Sequence, residues 1–151
     1  MISKHISYKE STNSITAIRR GIDNTPNDEQ LNNMELVAEK IFEPLRKWVG
    51  GPVKVNSFFR CLKLNTAIGG SKSSQHMKGQ AIDIDDTYKV VANSDMYNYI
   101  KNNLDFDQLI WEFGDDNNPH WLHVSYVSKE DNRNRRLRAC RSKGKTVYSI
   151  I

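Results

Sequence analysis

Ser74-Gln75-His76-Met77-Lys78-Gly79-Gln80-Ala81-Ile82-Asp83 is the stretch whose reading decides how this chain folds. His76 and Asp83 lie seven positions apart, which on one straight strand would separate them by roughly 23 Å. Gly79 stands between them and accepts backbone angles that other residues avoid, so the spacing predicts a loop, a turn at Gly79 and a strand over 80–84. In such a strand Ala81 and Asp83 point to one face, and Ile82 and Ile84 to the other.

The same alternation recurs on either side. Val53 to Phe59, Leu109 to Phe113 and Trp121 to Val127 have strand length and composition, the last two separated by the turn-rich Gly114-Asp115-Asp116-Asn117-Asn118-Pro119. Helices are expected over 13–20, closed by Gly21, near 61–68, and over 92–103. A longer helical pattern runs over 28–48, with Asp28 as its candidate cap and Pro44 inside it as a kink or break. Helices first and strands later argue for an α+β fold, a mainly antiparallel sheet with helices packed on one side. The division expected is 1–130 as the main body and 131–151 as a basic C-terminal extension of the same domain.

The length of 151 residues suits one domain with one core, and a hydrophobic fraction of 38% with 26% charged residues is an ordinary globular balance. No run reaches the roughly 18 apolar residues of a membrane span, and the first ten residues resemble no secretory signal. Synthesis in the cytoplasm is therefore expected. The net charge of +4 points to an anionic partner, which nucleic acid, anionic lipid and bacterial cell wall all satisfy. Cys61 and Cys140 lack the paired spacing of a disulfide scaffold or a zinc knuckle. Asn132 to Lys145 carries seven Arg and Lys with little apolar periodicity and reads as a solvated basic tail or a footprint for an anionic polymer.

Three of the four histidines fall in two short segments, the one quoted above and Pro119-His120-Trp121-Leu122-His123-Val124-Ser125. Zinc takes imidazole nitrogen and carboxylate oxygen at about 2.0–2.2 Å, so its ligands must nearly touch. If the strands align, Asp83, Glu112 and His123 meet over one cleft, with His76 arriving from the loop. Two neutral imidazoles and one carboxylate leave such a site a net charge of +1 and an open position for water. On composition alone, a lone histidine beside apolar residues is more often a structural one.

The motif S-x-H-x-x-G-x-A-x-D followed by W-x-H-V-S closely resembles the zinc D-Ala-D-Ala carboxypeptidase family of the M15 peptidases. That family is related to phage L-alanyl-D-glutamate endopeptidases and to the hedgehog signalling domain. Ser57-Phe58-Phe59-Arg60, Gly21-Ile22-Asp23-Asn24-Thr25-Pro26 and Glu43-Pro44-Leu45-Arg46 are similar to further features of it. The resemblance implies one Zn²⁺ held by His76, Asp83 and His123. It also places Arg60 where the family has a substrate-contacting arginine, with Ser74 and Gln75 as weaker candidates for orienting the loop or substrate. Several relatives carry an acid three residues before the last ligand, where this chain has His120. Glu112 resembles the glutamate of the hedgehog branch and is the expected general base, with His120 as transition-state stabiliser.

The function so implied is zinc-dependent hydrolysis of peptidoglycan stem peptides, as carboxypeptidase or endolysin-type endopeptidase, by a monomer that reaches the wall after phage lysis or host export. The alternative is a zinc-stabilised cell-wall binding module without catalysis. A nucleic-acid grip by the basic tail ranks last, because no nucleic-acid-binding fold accompanies it.

Overall fold

The computed structural model describes residues 1–151. Helices α1 (Tyr8–Thr12), α2 (Ile15–Arg20), α3 (Asp28–Val37) and α4 (Glu43–Val49) come first, followed by strand β1 (Lys54–Ser57) and α5 (Leu62–Ala67). A 3₁₀ turn (Gln75–Lys78) then leads through Gly79 into β2 (Ala81–Asp85). After α6 (Asn93–Asn103) come β3 (Gln108–Glu112), β4 (Trp121–Ser125), β5 (Arg135–Ser142) and β6 (Lys145–Ile150). No helix is long and apolar enough to cross a membrane.

Local chemistry explains two departures from expectation. The cap of α3 is Asn27, not Asp28: its side chain accepts from the Gln30 N–H while Gln30 returns a bond to the Asn27 N–H. Pro44 does not break the long helix. Ala38–Phe42 widens into a π turn, in which the Glu43 N–H reaches back to the Ala38 carbonyl, and the proline lands in the first turn of α4 where no N–H is required.

The six strands form one sheet in the order β1-β2-β4-β3-β5-β6. Its pairings are antiparallel except for β5, which lies parallel to β3, so the sheet is mixed. Ile82, Ile84, Leu109, Trp111, Leu122 and Val124 project from one face. They join Met34, Val37, Ile41, Leu45, Met96 and Ile100 of the helices in a single core of 24 buried residues. At about 1.5–3 kcal/mol for each large side chain fully buried, this layer dominates the favourable side of folding. The opposite face carries Asp83, His123, Ile110 and Glu112.

The basic stretch expected as a solvated tail is a β-hairpin. Leu137 and Ala139 are buried between exposed or half-buried arginines, an alternation that the density of charge conceals. Lys143 and Gly144, at φ 51° and 74°, supply the two left-handed residues of a tight hairpin turn.

Candidate metal centre

Asp83 and His123 come from neighbouring central strands, and the register sets them directly opposite each other. Side chains paired this way share a face, so the His123 Nδ1 reaches the Asp83 Oδ1 at 3.0 Å. His76 arrives from the 3₁₀ turn, which Gly79 closes at φ 71°. The turn is strapped to α3 by Gln30 Nε2 donating to the Met77 carbonyl and Asn33 Nδ2 donating to that of Lys78.

The His76 ring is fully buried, and its Nδ1 donates to the Phe58 carbonyl at 2.6 Å. That bond fixes the tautomer and leaves the Nε2 lone pair facing the cleft. Nε2 lies 3.2 Å from Asp83 Oδ2, but the approach is misaligned and satisfies no hydrogen bond. A buried polar atom without a partner is costly, and here it points at a carboxylate and a second imidazole.

One donor atom from each of His76, Asp83 and His123 lies within 4.8 Å of the others. Tetrahedral zinc with bonds near 2.1 Å places its ligands roughly 3.4 Å apart. His123 Nδ1 and His76 Nε2 lie 3.0 and 3.2 Å from different oxygens of Asp83, so the three residues are near enough to hold one ion once a single Asp83 oxygen turns to it. The charges agree. Burial lowers the His76 pKa against the pull of Asp83, which keeps the imidazole neutral. Burial alone would raise Asp83, but His76 and His123 hold it well below the usual carboxylate range.

Glu112 stands beside this group on β3. It is 7% exposed, and its carboxylate makes no hydrogen bond or ion pair. Burial raises its pKa to about 7, with His123 pulling it down and Asp83 pushing it up. Arg60 follows β1 and is half-buried without an acidic partner; its Nε is buried and unpaired. Burial lowers its pKa while the charge of Asp83 raises it, which places the guanidinium within the field of the donor group.

The other expected residues are placed differently. Ser74 caps the turn by accepting from the His76 N–H, and Gln75 Nε2 donates to Asp107 Oδ2 at 2.8 Å, so both hold the loop. Asp107 is 1% exposed and also takes three bonds from Arg133, at 2.7–3.0 Å. His120 is exposed, and its side chain makes no hydrogen bond or ion pair with the three donors. It lines a cavity of about 560 Å³ with Phe113, Gly114, Trp121, Cys140 and Arg141.

Two contributions escape a sequence reading. Asn24 donates to the carbonyls of Thr12 and Phe59 and accepts from the Cys61 N–H, and so clamps the segment that carries Arg60. Tyr148 shares the site face through Ala139, which pairs with both Glu112 and Tyr148. Burial raises its pKa, and the charges of Glu112 and Asp83 add to the rise.

Two imidazoles and a carboxylate are donors of the kind that metal-dependent hydrolases use, and an unpaired carboxylate stands beside them. The sequence model of the Peptidase M15 family matches residues 4–125, and the chain belongs to that family of metallopeptidases. The match takes in Arg60, His76, Asp83, Glu112, His120 and His123 and ends before β5. No curated protein matches the chain.

Proposed function

We propose that the protein hydrolyses peptide bonds in the stem peptides of peptidoglycan, with His76, Asp83 and His123 holding one zinc ion. The observation that carries this reading is the free, buried carboxylate of Glu112 beside three donor atoms within 4.8 Å of one another, in a chain of the M15 family. When bound, zinc supplies Lewis acidity that polarises a carbonyl and acidifies water.

The residues divide the remaining work. Glu112 takes a proton from the attacking water and passes it to the amine that leaves as the C–N bond breaks. Burial raises the Glu112 pKa in the metal-free chain, and the charge of a bound zinc ion would draw it back towards the carboxylate form that accepts the proton. Arg60 has donors to spare for the oxyanion or for a peptide carboxylate, and the half-buried setting strengthens either contact. His120 serves from the rim as a further donor to developing charge. The net charge of +4 favours approach to an anionic wall.

Mass spectrometry of muropeptides incubated with the purified, zinc-loaded protein tests the proposal. New fragments that appear with zinc and vanish on chelation support it, and the fragment masses identify the bond cut. An unchanged muropeptide profile, with zinc bound stoichiometrically and wall fragments retained, would instead identify a binding module.

A further inference from the structure

The sheet continues past the family match, and its extension reaches the site face. On β5, Leu137 and Ala139 are buried beside Ile110, and Arg141 follows them on the same face. Phe113 packs against this group although it is not a glycine and its φ is 56°. That left-handed backbone turns its ring towards Trp121, with centroids 5.3 Å apart, and the Arg141 guanidinium lies over it at 5.7 Å. Together with His120 these side chains line the cavity of about 560 Å³.

Two properties of the cavity point to its occupant. Its floor is aromatic, and its polar groups are an arginine and a histidine with no acid among the lining residues. Of the nearby acids, Asp116 pairs with Arg138 and Asp115 accepts from the N–H groups of Asn117 and Asn118, while Glu112, unpaired and opposite Trp121, is buried and does not line the cavity. Arg141 has no ion-pair partner, unlike Arg133 and Arg138 of the same segment. A guanidinium held over a ring, with its fork unused, suits a carboxylate.

The position is equally specific. Trp121 stands two residues before His123 on the same face of β4, which puts the cavity about 7 Å from the donor group. An extended peptide lying across the sheet covers that distance in about two residues.

We propose that the cavity lined by Phe113, His120, Trp121 and Arg141 is a substrate subsite for a carboxylate on an aliphatic stem, one or two residues from the bond that is cut. The proposal rests on the peptidase reading and adds the class of side chain accepted. The aromatic floor takes the stem, and Arg141 takes the charge.

The test uses two synthetic stem peptides that differ only in carrying a free carboxylate or a carboxamide on the D-glutamate residue. KM and kcat are measured with the zinc-loaded full chain, and binding of both peptides is measured on the metal-free chain. The expected KM is about five- to tenfold lower for the acid than for the amide. Arg141→Gln removes that difference with kcat and zinc content within twofold of wild type, and Arg141→Lys restores part of it. Lys145→Gln makes the same change of charge on the other face of the hairpin and keeps the preference. Equal KM for the two peptides in wild type, or a preference that survives Arg141→Gln, overturns the subsite and leaves the peptidase reading intact. If neither peptide is cut, the peptidase reading fails. The binding arm then decides the subsite: acid-selective binding lost in Arg141→Gln upholds it, and equal binding rejects it.

Discussion

Gly79→Ala tests how tightly the turn that carries His76 is built against α3. At φ 71° an L side chain costs about 1–2 kcal/mol, offset by about 0.4–1 kcal/mol from the stiffer unfolded chain. Gly69, at φ 72°, has the same backbone and nothing within 4 Å of a built Cβ, so Gly69→Ala isolates that conformational part. At Gly79 the added methyl would be driven into the Gln30 carbonyl oxygen and would sit 2.8 Å from Met34 Cγ. Neither neighbour yields easily. The Gln30 carbonyl is helix backbone, and Met34 is completely buried. Overpacking of this kind costs about 1–3 kcal/mol more. The expected destabilisation is therefore about 2–4 kcal/mol for Gly79→Ala against about 0.5–1.5 kcal/mol for Gly69→Ala, read from urea unfolding of the metal-free proteins. Because the turn is tied to α3 through Gln30 and Asn33, any relief moves the backbone three residues from His76. Zinc affinity should fall further in Gly79→Ala than in Gly69→Ala. Equal unfolding free energies within about 0.5 kcal/mol would refute the steric reasoning.

His123→Ala removes one of three protein ligands, and the purified variant should lose stoichiometric zinc together with hydrolysis; wild-type zinc content by elemental analysis would sink the ligand assignment. Glu112→Gln keeps shape and polarity but cannot take up the proton. It should retain zinc and lose about 10²–10⁴-fold in kcat, so unchanged turnover would remove Glu112 from the mechanism. Asp107 gives a stability test. Burial raises its pKa, but hydrogen bonds from Arg133 and Gln75 win and lower it. A depressed folded pKa adds stability above the unfolded value near 3.9, and that contribution disappears as pH falls through the folded value. Asp107→Asn should therefore cost about 1–3 kcal/mol at pH 7 and flatten the loss of stability below about pH 4. Parallel acid profiles for the two proteins would show that Asp107 titrates alike folded and unfolded.

Much of the donor group was legible because its geometry is local. Alternation alone puts Asp83 on one face of β2 and His123 on one face of β4, and Gly79 marks the fold-back that returns His76. What alternation cannot supply is the order of strands. β4 enters between β2 and β3, and only that order sets Asp83 and Ile110 on either side of His123. Pro44 reads as a kink or a break because the π turn that absorbs it has no sequence signature of its own. The clamp at Asn24 leaves no local signal, since its partners at Phe59 and Cys61 lie 35 and 37 residues away. The hairpin was obscured by its own charge: Leu137 and Ala139 alternate as a strand requires, but the arginines around them read as a solvated run.

That hairpin changes how the site is supported. Arg133, just before β5, fills the Asp107 carboxylate, and Asp107 in turn holds Gln75, the residue before His76. A change in the segment after residue 125 is therefore felt at the turn that presents the first donor. At the other end of β5, Arg141 packs on Phe113 and closes the cavity next to His120. The strand between these two points is pinned to β3 along its length, from Gln108 with Arg135 to Glu112 with Ala139. Functional groups keep their geometry when rigid elements carry them and neighbours lock their rotamers. Here β2 and β4 carry two donors, β3 carries the free carboxylate, and a parallel strand beyond the family match braces the third donor from behind and walls the cleft in front. The loop at His76 and the cavity at Arg141 are thus two ends of one strand's packing.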